Sequence, residues 1–281
     1  MKTRKHILPL AGLALTGSLT GSLNAALVAY EDFNYGGGVN LTTETTNGGT
    51  GWTAAWASTG PSGLVTSGTG QSLWFDQSPA LTADGSTHVF SDSNRGNERD
   101  WNAAVDLGTQ SFYFTALIHV FSGASTVDMR AEFYDGAGAS GNMRGNVGIT
   151  NGDLYTHVSA PGYAPAGGGV DAGVVTVNTT YLLAMKRTTS GISASLITAD
   201  GMSSTLTSEP TWQVTDSGAT GVDFRSIRLI ANGTDGGIRI DELRLATDWD
   251  SAVDGLVIPE PGSLTLLGLG GMSLLLRRRR K

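Results

Sequence analysis

The chain has 281 residues, 40 of them glycine and none cysteine, with a formal charge of −7 at neutral pH. Without cysteine no disulfide framework can staple it, so stability has to come from a packed core, for which this length suffices. The acidic balance excludes a nucleic-acid-binding surface, which needs clustered cations against phosphate.

Lys2, Arg4 and Lys5 open the chain, an apolar run from Ile7 to Leu19 follows, and Ala25-Ala26 supplies small residues for cleavage. That order predicts a secretory signal peptide over residues 1–25. A retained membrane helix fits less well, because the apolar run is short and gives way to small and polar residues. At the other end, five of the 18 basic residues close the chain. With three more lost at the front, residues 26–255 keep 10 basic and 24 acidic side chains, a formal charge of −14.

Residues 26–255 are rich in Gly, Thr, Ser and Asn and lack any long stretch of period 3.6, which predicts one domain of short strands joined by turns. The first strand is Tyr30-Glu31-Asp32-Phe33. Trp52, Trp56, Trp74 and Trp101 then fall in glycine-rich and polar contexts. Core burial is the favoured reading for each of them; because sugars stack on exposed rings, Trp52 and Trp56 are the best candidates for a glycan platform if any ring is exposed. Arg95-Gly96-Asn97-Glu98-Arg99-Asp100 reads as a solvated loop, because Gly96 and Asn97 favour turns.

Residues 112–121 place Phe112, Phe114, Ala116, Ile118 and Val120 on one face and Tyr113, Leu117 and Phe121 on the other, the pattern of a central strand covered on both sides. His119, inside it, reads as a packed or edge histidine. Residues 129–134 alternate Met129, Ala131 and Phe133 against Arg130 and Glu132. Glycine-rich connections follow at 136–145 and 161–169. Residues 181–187 and 192–197 form a predicted hairpin around Ser190-Gly191. Trp212 and Trp249 read as packing residues near strand ends. The last two strands, 224–230 and 238–245, are separated by 233–237.

The final strand is irregular: Ile238 and Ile240 share one parity, Leu243 and Leu245 the other. Either Asp241-Glu242 forms a bulge or both faces are covered. If the first strand lies beside it, Glu31, Asp32, Asp241 and Glu242 gather at one sheet end and need compensation. Exposure with pairing to Arg239 and Arg244 is the favoured source, and Ca²⁺ bound through carboxylate oxygens is the alternative.

Many short antiparallel strands in about 230 residues predict an all-β sandwich or jelly roll. The terminal strands Tyr30-Glu31-Asp32-Phe33 and Ile240-Asp241-Glu242-Leu243-Arg244-Leu245, followed by Thr247-Asp248-Trp249, resemble those of LamG-like, concanavalin A-like domains. The resemblance implies two stacked, curved antiparallel sheets that bring Leu27 and Leu245 close together.

No HxxEH or HExxH metal spacing and no GxSxG elbow occurs, and His6, His88, His119 and His157 are scattered. The Glu-x-Asp-x-x-Glu strand pattern of retaining jelly-roll glycosidases is also absent. No catalytic, cofactor-binding or metal-ligating residue is assigned, and no cofactor is expected.

The tail, residues 256–281, is the most specific feature. Pro259-Glu260-Pro261 precedes an uncharged apolar run over 262–276, about 22 Å long as a helix, and then Arg277-Arg278-Arg279-Arg280-Lys281. The prolines keep the tripeptide extended, and the cationic cluster resists translocation, which puts it in the cytoplasm and the domain outside. A GPI signal is disfavoured because its tail ends apolar.

The ordered triple closely resembles the PEP-CTERM sorting signal. The resemblance implies a single transmembrane helix over 262–276 and recognition of Pro259, Glu260 and Pro261 by an exosortase, a membrane-embedded transpeptidase, with Arg277, Arg278, Arg279 and Arg280 as the terminal cluster. The expectation is therefore an exported, non-enzymatic bacterial protein. It would be anchored through its C-terminus and then processed into the envelope or exopolysaccharide matrix, with an adhesive or extracellular-polysaccharide-binding role. A secreted jelly-roll polysaccharide lyase or glycoside hydrolase is the rival.

Overall fold

Phe112–Val120 has apolar groups on both faces, so it must lie at the centre of a sheet with a layer on either side. The computed structural model places it there. It describes residues 27–33, 41, 49–58, 65–68, 87–90, 95–106, 111–120, 128–138, 142–158, 169–198, 206, 208–218, 223–232 and 238–253. The expected signal peptide, Trp74, the tail and its helix over 262–276 lie outside the described residues. Among the described residues no helix is long and apolar enough to cross a membrane.

The described strands are β1 (Leu27–Glu31), β2 (Ala57–Ser58), β3 (Val65–Gly68), β4 (Thr87–Phe90), β5 (Arg95–Asp106), β6 (Phe112–Val120), β7 (Asp128–Tyr134) and β8 (Met143–Thr150). They continue with β9 (Asp153–His157), β10 (Gly169–Asp171), β11 (Thr179–Thr188), β12 (Gly191–Thr198), β13 (Val214–Ser217), β14 (Asp223–Asn232) and β15 (Ile238–Ala246). A short helix α1 (Trp249–Val253) follows. They form two antiparallel sheets. One has eight strands in the order β13-β12-β11-β6-β15-β4-β3, with β1 also on β15; the other has seven, in the order β10-β9-β8-β7-β14-β5-β2.

Alternation decides which side chains enter the space between the sheets. Phe112 and Phe114 from β6 meet Phe133 from β7 and Phe224 from β14, with Phe112 stacked on Phe224 at 4.9 Å and edge-on to Phe133 at 5.7 Å. Met129, Ala131, Val147, Ile149, Leu154, Ile227 and Leu229 complete this core from the seven-stranded side. The opposite parity of β6 and β11 builds a second, smaller core on the outer face of the eight-stranded sheet. There Tyr113, Leu117, Leu182 and Ala184 pack under Trp249, Ala252 and Val253 of α1.

The first and last strands meet as the resemblance implied: Leu27 pairs with Ala246, and Ala29 with Leu245. Both readings of the irregular last strand hold. Its register against β6 jumps between Asp241 and Arg244 at a bulge where Glu242 has φ 50, and residues 241–246 are buried on both faces. The hairpin of β11 and β12 forms with Thr188 opposite Gly191, so its turn is Thr189-Ser190, one residue earlier than Ser190-Gly191.

One expectation is overturned. Residues 95–100 are not a loop but the first half of β5, paired to β14 from Arg95 to Asp100. The alternation is present but written in polar residues: Asn97, Arg99 and Trp101 point inward and are buried, while Glu98 and Asp100 lie on the outer face. A hydrophobic pattern cannot register a strand whose inward residues include an arginine neutralised by a distant carboxylate.

Candidate functional site

Glu31 lies opposite Leu243, next in sequence to Glu242, but the four terminal carboxylates are not exposed: Glu31, Asp241 and Glu242 are buried and Asp32 is half-buried. Burial of a carboxylate requires a cation and hydrogen-bond donors, and Glu31 and Glu242 each have both. Glu31 is paired with Arg99 from the opposite sheet. Its oxygens also accept the Phe33 amide at 2.9 Å and the Trp56 indole N–H at 3.2 Å. Glu242 accepts Arg244 at 3.0 Å and the Tyr30 hydroxyl at 2.9 Å. Asp241 accepts the Glu242 amide at 2.9 Å. Burial first, and then the Glu242 carboxylate beside it, push the Tyr30 hydroxyl above its ordinary value. Among the described residues no group of three or more His, Cys, Asp or Glu has the arrangement of a metal site.

Trp52 and Trp56 belong to this same cluster, so they do not form an exposed platform. Trp56 is 3% exposed and stacked on Phe33, its ring 6.0 Å from that of Trp52. The Arg99 guanidinium lies over both indoles, 4.8 Å and 5.7 Å from their centroids. The Trp52 N–H is committed to the Tyr30 carbonyl at 2.8 Å. These rings cover a buried cation, a task that the glycine-rich sequence around them does not reveal. Trp101 is buried too, whereas Trp249 packs as expected, with Trp212 half-buried against its edge. His119 is half-buried on β6, and its Nδ1 lies 2.8 Å from Thr180 Oγ1.

The most concentrated chemistry lies elsewhere, on the outer face of the seven-stranded sheet. Register aligns Glu98 of β5, Arg228 of β14, Glu132 of β7 and Asn146 of β8 in one row across four strands. Arg130 and Tyr134 flank Glu132 two positions either way on the same face. Glu132 is fully buried, and both of its oxygens are engaged. Oε1 accepts Arg130 Nε at 2.6 Å; Oε2 accepts the Tyr134 hydroxyl at 2.6 Å and Arg228 Nε at 2.8 Å. Arg228 also donates to the Tyr134 oxygen at 2.6 Å.

Burial raises the proton affinity of Glu132. The hydrogen bonds from Tyr134 and Arg130 and the charges of both arginines outweigh it, so the carboxyl ends below its ordinary value. Glu98, half-buried at the other end of the row, moves the opposite way, pushed up by burial and by Asp100 despite Arg228. A connection overhangs this end: the Gly138 amide donates to Asp100 at 2.8 Å and Ser226 Oγ to the Gly136 carbonyl at 2.7 Å.

Sequence reasoning found two strands of this row, 129–134 and 224–230. The alternation in 129–134 sets Arg130 and Glu132 on one face, but nothing local ties Glu132 to Arg228, 96 residues away. Chemically, a carboxylate whose oxygens are filled by two arginines and a tyrosine is a poor base or nucleophile. The half-exposed Glu98, Asp100 and Arg228 offer the face's acceptors and donors for hydroxyl groups.

Residues 257–280 match the family model described as the PEP-CTERM protein-sorting motif, a span that contains Pro259, Glu260, Pro261 and Arg277 to Arg280. No curated protein matches the chain. Among solved structures, the chain is similar to the globular domain of T. cruzi calreticulin, at 7% identity and TM-score 0.50 over 90% of this chain and 100% of that one. A protein of unknown function from Shewanella oneidensis MR-1 aligns at 15% identity and TM-score 0.49, covering 78% of this chain and 84% of that one. The carbohydrate-binding module CBM66 from Bacillus subtilis aligns at 12% identity and TM-score 0.36, covering 65% and 94%. At such identities the likeness concerns the fold alone.

Proposed function

We propose that this chain is an exported protein of the bacterial cell surface or extracellular matrix, processed by an exosortase-type transpeptidase, whose sandwich domain is an adhesive or polysaccharide-binding module without catalytic activity. The observation that carries the reading is the sorting motif at 257–280, following directly on a β-sandwich. In this reading residues 1–25 are the signal peptide, 26–255 the functional domain and 256–281 the sorting signal. Pro259, Glu260 and Pro261 are the recognised tripeptide, and Arg277 to Arg280 hold the segment 262–276 from passing through the membrane.

The half-exposed Glu98, Asp100 and Arg228 bind sugar hydroxyls, and the acidic domain suits neutral rather than anionic glycans. Deleting 257–281 tests the sorting half. Expected is loss of the membrane-bound precursor and of the mature envelope or matrix form, with folded protein released. An unchanged distribution between fractions would overturn it.

The rival, a secreted lyase or hydrolase, has one observation in its favour: Glu98 and Glu132 share a row and their proton affinities are shifted apart, as an acid and a base would require. Against it stands the occupancy of both Glu132 oxygens. Reducing-end and unsaturated-product assays on envelope polysaccharides separate the two, and no product is expected.

A further inference from the structure

The path by which the chain leaves the sandwich fixes which way the domain faces while it is anchored. After β15 the chain turns back over the outer face of the eight-stranded sheet as α1. Trp249 meets Tyr113 edge-on at 6.1 Å, and its N–H donates to the Leu206 carbonyl at 3.0 Å. The Ala252 carbonyl accepts the buried Thr115 hydroxyl from β6 at 2.6 Å. Ala252 and Val253 are both buried in the second core. The chain is therefore held to the outer face of this sheet as far as Val253.

Beyond Val253 the reach is short whatever conformation the residues take. Pro259 is six residues on and Gly262, the first of the apolar run, nine, which at full extension gives about 20 Å and about 30 Å. A domain of this size is about 45 Å across. To turn the α1 face outward, the tether would have to run half way round the domain, roughly 70 Å and more than twice its reach.

We infer that, in the anchored precursor, the outer face of the eight-stranded sheet around α1 lies against the bilayer surface, and the outer face of the seven-stranded sheet, with the row Glu98, Arg228 and Glu132, faces away from it. This rests on the sorting reading and adds to it an orientation. The membrane-facing side carries Asp250 and Glu209, both exposed, against a half-exposed Lys186 that Glu209 already binds at 2.7 Å.

The absence of native cysteine makes the orientation measurable with single-cysteine variants. Ser208→Cys and Asp250→Cys report the α1 face; Ala137→Cys and Asn142→Cys, all four positions being exposed, report the side of the seven-stranded sheet. Each is labelled with a fluorophore in the exported chain, residues 26–281, reconstituted into vesicles with or without a headgroup-attached quencher. Quenching at 208 and 250 is expected to exceed that at 137 and 142 at least threefold. Inserting twenty Gly and Ser residues between Gly255 and Leu256 should abolish the contrast.

Equal or reversed quenching, or a contrast that survives the insertion, overturns the orientation. Sedimentation of the same samples separates the two failures. A chain that floats free of the vesicles sinks the anchoring reading along with this one; a chain that sediments without contrast sinks only the orientation.

Discussion

Arg99 of β5 crosses from the seven-stranded sheet to Glu31 of β1 in the eight-stranded sheet, an ion pair in which both side chains are wholly inaccessible to solvent. It ties the two sheets together at the end of β1. Removing one member strands the other as a buried charge, at a cost of about 3–5 kcal/mol. Glu31→Leu and Arg99→Met should each lose that much in urea unfolding. The double variant should lose clearly less than the two added together, because neither charge is then left alone. Additive losses would show that the pair does not act as a unit.

The Glu132 network gives a pH dependence of defined sign. Its carboxyl is held below its ordinary value of 4.5, so its contribution to stability is complete above about pH 4.5 and is lost as pH falls through the lower folded value. Glu132→Gln should be less stable than the parent by about 3 kcal/mol at pH 7, since Arg130 and Arg228 lose their counter-charge. That gap should narrow as pH drops below about 4.5. Denaturation midpoints between pH 3 and 7 would reveal a parallel pair of curves if the network were unimportant.

Glu98 should behave in the opposite sense. Burial and Asp100 raise it, so its ionised form weighs against the fold at neutral pH, a penalty that disappears once the group is protonated in both states. Glu98→Gln is expected to raise the melting temperature slightly at pH 7 and to leave it unchanged below about pH 4. A fall at pH 7 would show that the Arg228 attraction outweighs both.

Much of the sandwich was legible because its core strands are written in apolar residues. The two-sided run at 112–121, the alternation of 129–134 and the parity switch at Asp241-Glu242 each carry their meaning locally. What was not legible is long-range. Arg99 and Glu31 are 68 residues apart, and charged residues in an inward-facing position read as solvent-facing until the partner is known. That the indoles of Trp52 and Trp56 cover a cation was not legible for the same reason, since that cation lies on another strand.

One local signal went unused. Asn151-Gly152 joins β8 to β9 with Thr150 opposite Asp153, and both loop residues have positive φ, 51 and 88, as a two-residue type I′ turn requires. A Cβ built on Gly152 meets nothing within 4 Å, so the only penalty for Gly152→Ala is the backbone's, about 1 kcal/mol. Asn151→Gly should be tolerated. Chemical denaturation of both variants checks this, and a loss of several kcal/mol in Gly152→Ala would mean that the turn is packed rather than open.

Substituting the tryptophans cannot report on glycan binding, because it removes part of the core. Trp56→Ala should lose about 3–5 kcal/mol, and any polysaccharide retention it abolishes would be lost with the fold. The discriminating changes lie on the two outer faces. In affinity electrophoresis through neutral polysaccharide, Asp100→Ala on the seven-stranded sheet should weaken retention at least threefold while the melting temperature stays within a few degrees. Lys186→Ala, on the face where α1 packs, should leave retention as it was. If the Lys186 variant loses retention and the Asp100 variant keeps it, the ligand surface is the α1 face, and an anchored precursor held close to the bilayer on that side would be unable to bind before its tail is released.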